Sequence, residues 1–113
     1  MNINDIGFAF VSFNGTRGGK ERPILVIGVT EESITFFSIT SQYAKKSPQI
    51  QKQYCPIVEW QESGLTKSSW VDIGSAREVS IADISLDIVG SLSTIDMQAL
   101  AAFIENYNAS TQS

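Results

Sequence analysis

Histidine is absent from this sequence, and cysteine occurs only once, at position 55. Without histidine the chain cannot form a Ser-His-Asp triad, a Cys-His pair or a paired-histidine acid–base mechanism. A single cysteine excludes an internal disulfide and cannot build a zinc site, and it is typical of a protein from a reducing compartment. Arginine, hydroxyl and carboxylate groups therefore remain as the candidates for any chemistry.

Long hydrophobic runs and nucleotide-binding motifs are absent as well. The longest nearly unbroken apolar run, residues 24–29, is far shorter than the ~20 residues that a membrane-spanning helix needs. The first five residues contain no basic region followed by an apolar stretch, and no glycine fingerprint for nucleotides follows a strand. The 12 acidic residues show no ligand-cluster spacing. We therefore expect a cytoplasmic protein without a membrane segment, a cofactor or a metal site.

The composition is that of one globular domain spanning residues 1–113, since 42% of the residues are hydrophobic and the mean hydropathy is +0.01. The net charge of −4 is unfavourable for binding nucleic acid, but it is unevenly distributed. Residues 1–53 carry six cations and four acids (+2), and residues 54–113 carry two cations and eight acids (−6). A fold that gathers residues 14–22 and 41–53 on one side would present a basic surface, although ordinary solvated charges give the same pattern.

Strand signals dominate the first two thirds of the chain. β-Branched and aromatic residues between turn signals predict strands over 8–13, 23–29, 33–40, 57–60 and 69–73. Tight turns are expected at 31–32 and 62–64, and a flexible glycine-rich loop at 14–19. Residues 41–53 are polar and interrupted by Pro48, so we predict a long loop with one helical turn at 43–46.

The last part of the chain has the pattern of a helix. Ser93 and Asp96 resemble a helix start, and apolar residues then recur at helical spacing: Ile95, Ala99, Leu100, Phe103, Ile104 and Tyr107. We predict a helix over 93–107 and a frayed tail over 108–113. A short helical turn is expected at 80–84, with four side chains packing inward: Ile81, Ile84, Ile88 and Leu92. These elements predict a mainly β fold, a strongly bent antiparallel sheet or small barrel over about 6–92 with a C-terminal α-helix.

Several segments occur in the order found in one protein family. They are the glycine-rich loop, Arg22-Pro23 before an apolar strand, Ile39-Thr40, and the run from Gly64-Leu65 to Ser69-Trp70-Val71. In this order the chain, from about residue 8 to 107, resembles the MazF/PemK family of bacterial toxin–antitoxin ribonucleases. The resemblance implies an SH3-like barrel with a C-terminal helix, a homodimer and a cognate antitoxin protein as partner.

The resemblance also implies a reaction, metal-independent cleavage of single-stranded RNA. In such a reaction the ribose 2′-hydroxyl attacks the neighbouring phosphorus, which gives 2′,3′-cyclic phosphate and 5′-hydroxyl ends. Arg22 matches the arginine of the family's Arg-Pro pair and Thr40 the threonine of its Ile-Thr pair, so these two are expected to be catalytic. A surface ion pair of Arg22 with Glu21 or Glu31 is the ordinary alternative. Messenger, transfer and ribosomal RNA all remain open as substrates.

The general base is less clear from the resemblance. Arg77 matches the arginine of the Arg-Thr-Ile-Asp run of the PemK branch and is expected to be catalytic, but Ser80 stands where that run has its aspartate. Among the nearest carboxylates, Glu78 would point away from Arg77 on a strand, so Glu21 ranks first as the base.

The residues expected to bind RNA lie in the two basic loops. They are Ser41, Arg17, Lys20, Lys45, Lys46 and Lys52, and a solvated loop is the alternative. Tyr43, Trp60 and Trp70 are candidates for base stacking or for the core.

Two other functions are compatible with the sequence. The loss of the aspartate at position 80 fits a catalytically degenerate family member that acts as a nucleic-acid or protein binding module. An unrelated SH3-like adaptor that grips a peptide with aromatics would explain the tryptophans, but it leaves Arg22-Pro23 and Thr40 without a role.

Overall fold

The fold is built from one antiparallel sheet and a C-terminal helix. The computed structural model describes residues 1–11 and 21–112. Its strands are β1 (Asp5–Val11), β2 (Arg22–Val29), β3 (Ser33–Thr40), β4 (Tyr54–Ile57), β5 (Ser69–Ser80) and β6 (Ile84–Ser91), and its α-helices are α1 (Pro48–Gln51) and α2 (Thr94–Gln112). The order of strands in the sheet is β4-β5-β3-β2-β1-β6. In the described part of the chain, no helix is long and apolar enough to cross a membrane.

The two faces of the sheet each carry an apolar cluster, because successive side chains of a strand point to opposite faces. Leu25 belongs to the larger cluster, which α2 helps to cover through Leu100, and its neighbour Ile24 belongs to the smaller one. Within the described residues β4 and β6 are the two edges, so the sheet is not closed. The prediction of a mainly β fold with a C-terminal helix is confirmed.

Most strand predictions are confirmed, two of them with different bounds, and one is wrong. The predicted strand 57–60 is wrong, because β4 ends at Ile57 and the chain turns from Val58 to Gly64. The strand predicted over 69–73 continues to Ser80, and the first strand begins at Asp5. Residues 12 and 13 of the predicted first strand and the loop 14–19 lie outside the described residues.

The segment 41–53 is more regular than predicted. The expected turn is confirmed as a 3₁₀ turn at Tyr43–Lys45, but α1 was missed. Pro48 was interpreted as a loop breaker, whereas it stands in the first turn of α1, where its missing N–H costs no hydrogen bond. Ser47 caps this helix by accepting a hydrogen bond from the backbone N–H of Ile50.

The start of α2 is confirmed, and its buried face differs from the prediction. Ser93 Oγ accepts a hydrogen bond from the Asp96 N–H at 3.1 Å. Asp96 is turned inward and accepts hydrogen bonds from the backbone N–H groups of Val58 and Glu59, so its neighbour Ile95 is directed to solvent and is 60% exposed. Ala99 is also exposed. The predicted end at 107 and the frayed tail are wrong, because the helix continues to Gln112.

The short turn before β6 is confirmed, but two of its predicted core residues are wrong. A 3₁₀ turn spans Ile81–Asp83, and Ser80 caps it. Leu92 is buried and Ile84 is half-buried, whereas Ile81 is 39% and Ile88 42% exposed. Ile88 pairs with Gly7, which offers no side chain to pack against.

Candidate active site

Arg22 and Thr40 lie at the same end of β2 and β3 and line the same cleft. The pairing of these strands ends with Ile24 opposite Ser38, and Arg22 and Thr40 each lie two residues beyond this last pair. Side chains two residues apart on a strand point to the same face, so Arg22 shares the face of Ile24 and Thr40 that of Ser38. The two residues expected to be catalytic therefore point to the same side of the sheet.

A second row of side chains crosses three strands next to this pair. Ser38 on β3 pairs with Asp72 on β5, and Asp72 pairs with Tyr54 on the edge strand β4. Ser38 is two residues from Thr40, so both rows occupy the same face. Sheet register thus brings arginine, hydroxyl, carboxylate and phenol groups together from four strands.

These side chains line a cleft of about 520 Å³. The strand residues named above line it together with residues that follow β3 and residues around the start of β5: Ser41, Gln42, Lys46, Leu65, Thr66, Lys67 and Ser69. Among the lining residues, Arg22, Lys46 and Lys67 are cationic and Asp72 alone is acidic. A cleft with an excess of two positive charges, on a chain with a net charge of −4, is suited to an anionic ligand.

The groups of Arg22 and Thr40 are available for a ligand. Thr40 Oγ1 accepts a hydrogen bond from the backbone N–H of Gln42 at 3.0 Å, which fixes the oxygen and leaves the hydroxyl hydrogen to be donated. Arg22 is exposed at the start of β2. In the part of the chain that the structure describes, no ion pair joins it to Glu21 or Glu31.

The carboxylate of Asp72 is held in place by three donors. Oδ1 accepts from Gln53 Nε2 and from the Gly74 N–H, both at 3.0 Å, and Oδ2 accepts from Ser75 Oγ at 3.2 Å. Gly74 and Ser75 belong to a bulge in β5, between the pairs of Asp72 with Ser38 and of Ala76 with Phe37. Bulges often redirect a side chain next to a functional site. In this bulge, the backbone N–H of Gly74 and the hydroxyl of Ser75 donate hydrogen bonds to the Asp72 carboxylate.

Tyr54 is a buried side chain of the cleft and, like Ser69, has 6% of its surface exposed. Burial raises the pKa of its phenol above the usual 10.0, and the nearby charge of Asp72 raises this pKa further. The phenol therefore keeps its proton at neutral pH and can donate it.

The other residues expected from the sequence are divided between the cleft and its surroundings. Ser41 and Lys46 line the cleft. Lys52 lines a separate groove of about 640 Å³ beside α2, Lys45 is exposed on the 3₁₀ turn, and Glu21 is exposed and is not among the cleft residues. Arg17 and Lys20 lie outside the described residues.

The run that matches the PemK pattern lies farther along β5, away from the cleft. Arg77 pairs with Phe36, four residues from Thr40, and is not among the residues that line the cleft. Glu78 accepts a hydrogen bond from Ser33 Oγ at 2.9 Å, and Ser80 caps the following 3₁₀ turn. The structure therefore does not bring Arg77 together with Arg22 and Thr40.

The aromatic residues beside the cleft mostly contact each other. Tyr43 stacks on Trp70 with ring centroids 4.9 Å apart and an interplanar angle of 12°. Tyr43 also meets Tyr54 at 6.3 Å. Trp60 packs against the larger apolar cluster, as a core residue would.

The cleft residues that sequence reasoning did not single out as site residues include Ser38, Tyr54, Lys67 and Asp72. Lys67 stands in a segment that the family pattern had already marked. A glycine inside a strand often marks a bulge, and a bulge often lies next to a functional site. Gly74 was therefore a signal in the sequence for this site. For Asp72 and Tyr54 there was no local signal, because their placement depends on which strands pair and in which register.

No family model matches the chain, and no curated protein matches it. The resemblance to MazF/PemK proteins therefore stays a prediction made from short motifs. Within residues 1–11 and 21–112, no group of three or more Cys, Asp or Glu side chains is placed to hold a metal ion.

Proposed function

We propose that the protein is a cytoplasmic, metal-independent endoribonuclease that cuts single-stranded RNA. The observation that carries the proposal is that Arg22 and Thr40 line one cleft with an excess of positive charge. An arginine with only a structural role on the surface would form an ion pair with a neighbouring carboxylate. Here the guanidinium borders a cleft whose other polar groups can act on a phosphodiester.

Each of these groups has a part in the reaction. The planar guanidinium of Arg22 binds two phosphoryl oxygens at once and stabilises the charge that develops on them. The hydroxyl of Thr40 donates to the same phosphate and fixes its orientation. The ribose supplies the nucleophile through its 2′-hydroxyl, so DNA is not cut.

The test is incubation of the purified protein with single-stranded RNA in EDTA. Cleavage that falls about 10²- to 10³-fold in Arg22→Ala, and also falls in Arg22→Lys, supports the proposal, because lysine keeps the charge and loses the two-pronged contact. Intact RNA at high enzyme excess, together with measurable RNA binding, would instead identify a binding module.

We also propose an antitoxin partner that covers this cleft with an extended or helical acidic segment, and a homodimer as the active form. Such a segment would compete with RNA for Lys46, Lys67 and Arg22. Adding the product of the adjacent small gene should abolish RNA cleavage, and undiminished cleavage in a stable complex would refute the antitoxin. Sedimentation of the purified protein tests the dimer, and a single species of 12.4 kDa would refute it.

A further inference from the structure

We infer that Asp72 is the general base and Tyr54 the general acid of the proposed RNA cleavage. This inference rests on the proposed function and adds its two proton transfers. For these transfers the family pattern offers Arg77 and an aspartate, and this chain has Ser80 in place of that aspartate. Both residues lie on the cleft face of neighbouring strands, directly paired across β4 and β5. Neither belongs to the motifs that carry the resemblance.

Asp72 has the geometry of a positioned base. Two donors fill Oδ1, those of Gln53 and Gly74, and one donor, Ser75 Oγ, reaches Oδ2. Carboxylate oxygens accept about two hydrogen bonds each, so Oδ2 retains a lone pair for a substrate hydroxyl. Three donors hold the carboxylate in one orientation, as proton abstraction requires.

The surrounding chain is shaped to hold this orientation. A Cβ at Gly74 would lie 2.5 Å from the side-chain amide of Gln53, so only glycine lets Gln53 approach Asp72. The bulge that contains Gly74 also places Ser75 over Oδ2. The carboxylate closes the turn of the bulge through Gly74 and Ser75, and it also borders the cleft that holds Arg22 and Thr40.

Tyr54 is placed to supply the second proton. Its phenol lines the cleft, and burial together with the charge of Asp72 raises its pKa, so the proton is present across the neutral range. A phenol that donates to the leaving oxygen removes the need for a histidine, which this chain does not have.

The step balances as a transesterification. Asp72 Oδ2 takes the proton of the ribose 2′-hydroxyl while the 2′-oxygen forms a bond to phosphorus. The bond from phosphorus to the 5′-oxygen breaks, and Tyr54 Oη gives its proton to that oxygen. The products are a 2′,3′-cyclic phosphate and a 5′-hydroxyl, and exchange with water moves one proton from Asp72 back to Tyr54.

The pair predicts how kcat depends on alkaline pH. The rate falls at high pH when the phenol of Tyr54, whose pKa is raised by burial and by the charge of Asp72, is ionised and has no proton to give. The other charged groups that line the cleft with this pair are Arg22 from β2, Lys46 after the 3₁₀ turn and Lys67 before β5, and Tyr43 faces Tyr54 from that turn with ring centroids 6.3 Å apart.

The experiment compares normal RNA with RNA whose scissile 5′-oxygen is replaced by sulfur, a leaving group that needs no proton. For the wild-type protein we expect the fall in kcat at alkaline pH, seen with normal RNA, to disappear with the sulfur substrate. This measurement needs no variant, so it tests the inference even if substitutions at the buried Tyr54 prevent folding.

Variants then separate the two roles. Asp72→Asn should lower kcat about 10²- to 10⁴-fold on both substrates. Tyr54→Phe should lower kcat by a similar factor on normal RNA, and it should cleave the sulfur-substituted RNA at close to the wild-type rate. The matched controls are Asp87→Asn on β6 and Tyr107→Phe on α2, which remove the same groups outside the cleft. RNA affinity and the near-ultraviolet circular dichroism spectrum report whether the variants remain folded.

Three results are decisive. If the wild type cleaves RNA and Asp72→Asn stays within about threefold of it, the base assignment is overturned and the proposed function stands. If the fall in kcat at alkaline pH persists with the sulfur substrate, the acid assignment is overturned. If the wild type leaves RNA intact, the proposed function fails and this inference fails with it.

Discussion

Gln53 donates a hydrogen bond from Nε2 to Oδ1 of Asp72 at 3.0 Å, across the end of the β4–β5 ladder. The contact is possible because Gly74 has no side chain at the point where the amide passes. Gln53 thus connects the segment after α1 to the cleft, and the orientation of the Asp72 carboxylate depends on a residue that does not line the cleft. This dependence can be tested by a substitution at Gly74.

Gly74→Ala should lower the cleavage rate about 10- to 100-fold without unfolding the protein. The new methyl group displaces the flexible amide of Gln53, and a small misplacement of a catalytic group has an effect of this size. Gly28→Ala is the matched control, because its Cβ would meet only Thr35 at an ordinary 3.4 Å. Rates of RNA cleavage at equal folded fraction check the prediction, and equal losses in the two variants would contradict it.

The two candidate arginines should differ in importance. Arg22 borders the cleft and Arg77 is not among its lining residues, so Arg22→Ala should reduce cleavage at least tenfold more than Arg77→Ala does. The measurement is kcat/KM of each variant on one RNA substrate. A larger loss in Arg77→Ala would favour the family pattern over the geometry of the cleft.

Asp96 is expected to be a major source of stability for the packing of α2. Its buried carboxylate accepts hydrogen bonds from the N–H groups of Val58 at 2.9 Å and Glu59 at 2.8 Å. Asp96→Ala leaves these donors without a partner and should lower the free energy of unfolding by about 2–4 kcal/mol. Urea unfolding checks this against Asp87→Ala, an exposed aspartate for which we expect a change below about 0.5 kcal/mol.

Most of the strands and the helix start could be predicted because their signals are local, whereas β6 was not predicted and the strand at 57–60 was misplaced. β-Branched residues before a turn marked β2 and β3, and Ser93 with Asp96 marked the first turn of α2. What Asp96 contacts was not predictable, since its partners lie more than 35 positions away, and its inward turn decides that Ile95 faces solvent.

The candidate site was predictable only in part for the same reason. Arg22 and Thr40 were chosen from motifs, and they reach the same end of the sheet because β2 and β3 are consecutive antiparallel strands joined by a short turn. Asp72 and Tyr54 reach the cleft through pairing of β3, β5 and β4, strands distant in sequence. The position of Arg77 outside the cleft lining was not predictable, because it depends on how far β5 continues and on the strand with which it pairs.

Stability should fall at alkaline pH through Cys55. Burial, reinforced by the charge of Asp96, raises the pKa of this thiol from 9.0 to about 11. The folded state therefore holds the proton more tightly, and its contribution to stability is complete below pH 9 and is lost as the pH rises toward 11.

This loss can be measured as a slope. The thiol contributes at most about 1.4 kcal/mol of unfolding free energy for each pH unit in that window. Urea unfolding between pH 8 and pH 10.5 should show a smaller slope for Cys55→Ala than for the wild type. Identical slopes would show that Cys55 does not titrate with unfolding.

RNA cleavage should weaken as salt is added. The attraction depends on a few cations around the cleft, Arg22, Lys46 and Lys67, on a chain that is acidic elsewhere, and such local attraction is screened within about 8–10 Å at moderate salt. We expect kcat/KM to fall steadily, by at least about tenfold, when the salt concentration is raised from 50 to 300 mM. A flat response would contradict the assignment of these cations to RNA binding.

The most direct test of the account is the chemistry of the ends that the protein leaves on RNA. Single-stranded RNA and DNA of the same sequence are incubated in EDTA with the wild type and with Thr40→Ala, and the products are identified by mass spectrometry. The account predicts 2′,3′-cyclic phosphate and 5′-hydroxyl ends from RNA alone, strongly reduced in the variant. Cleaved DNA, 5′-phosphate ends or undiminished cleavage by Thr40→Ala would contradict it.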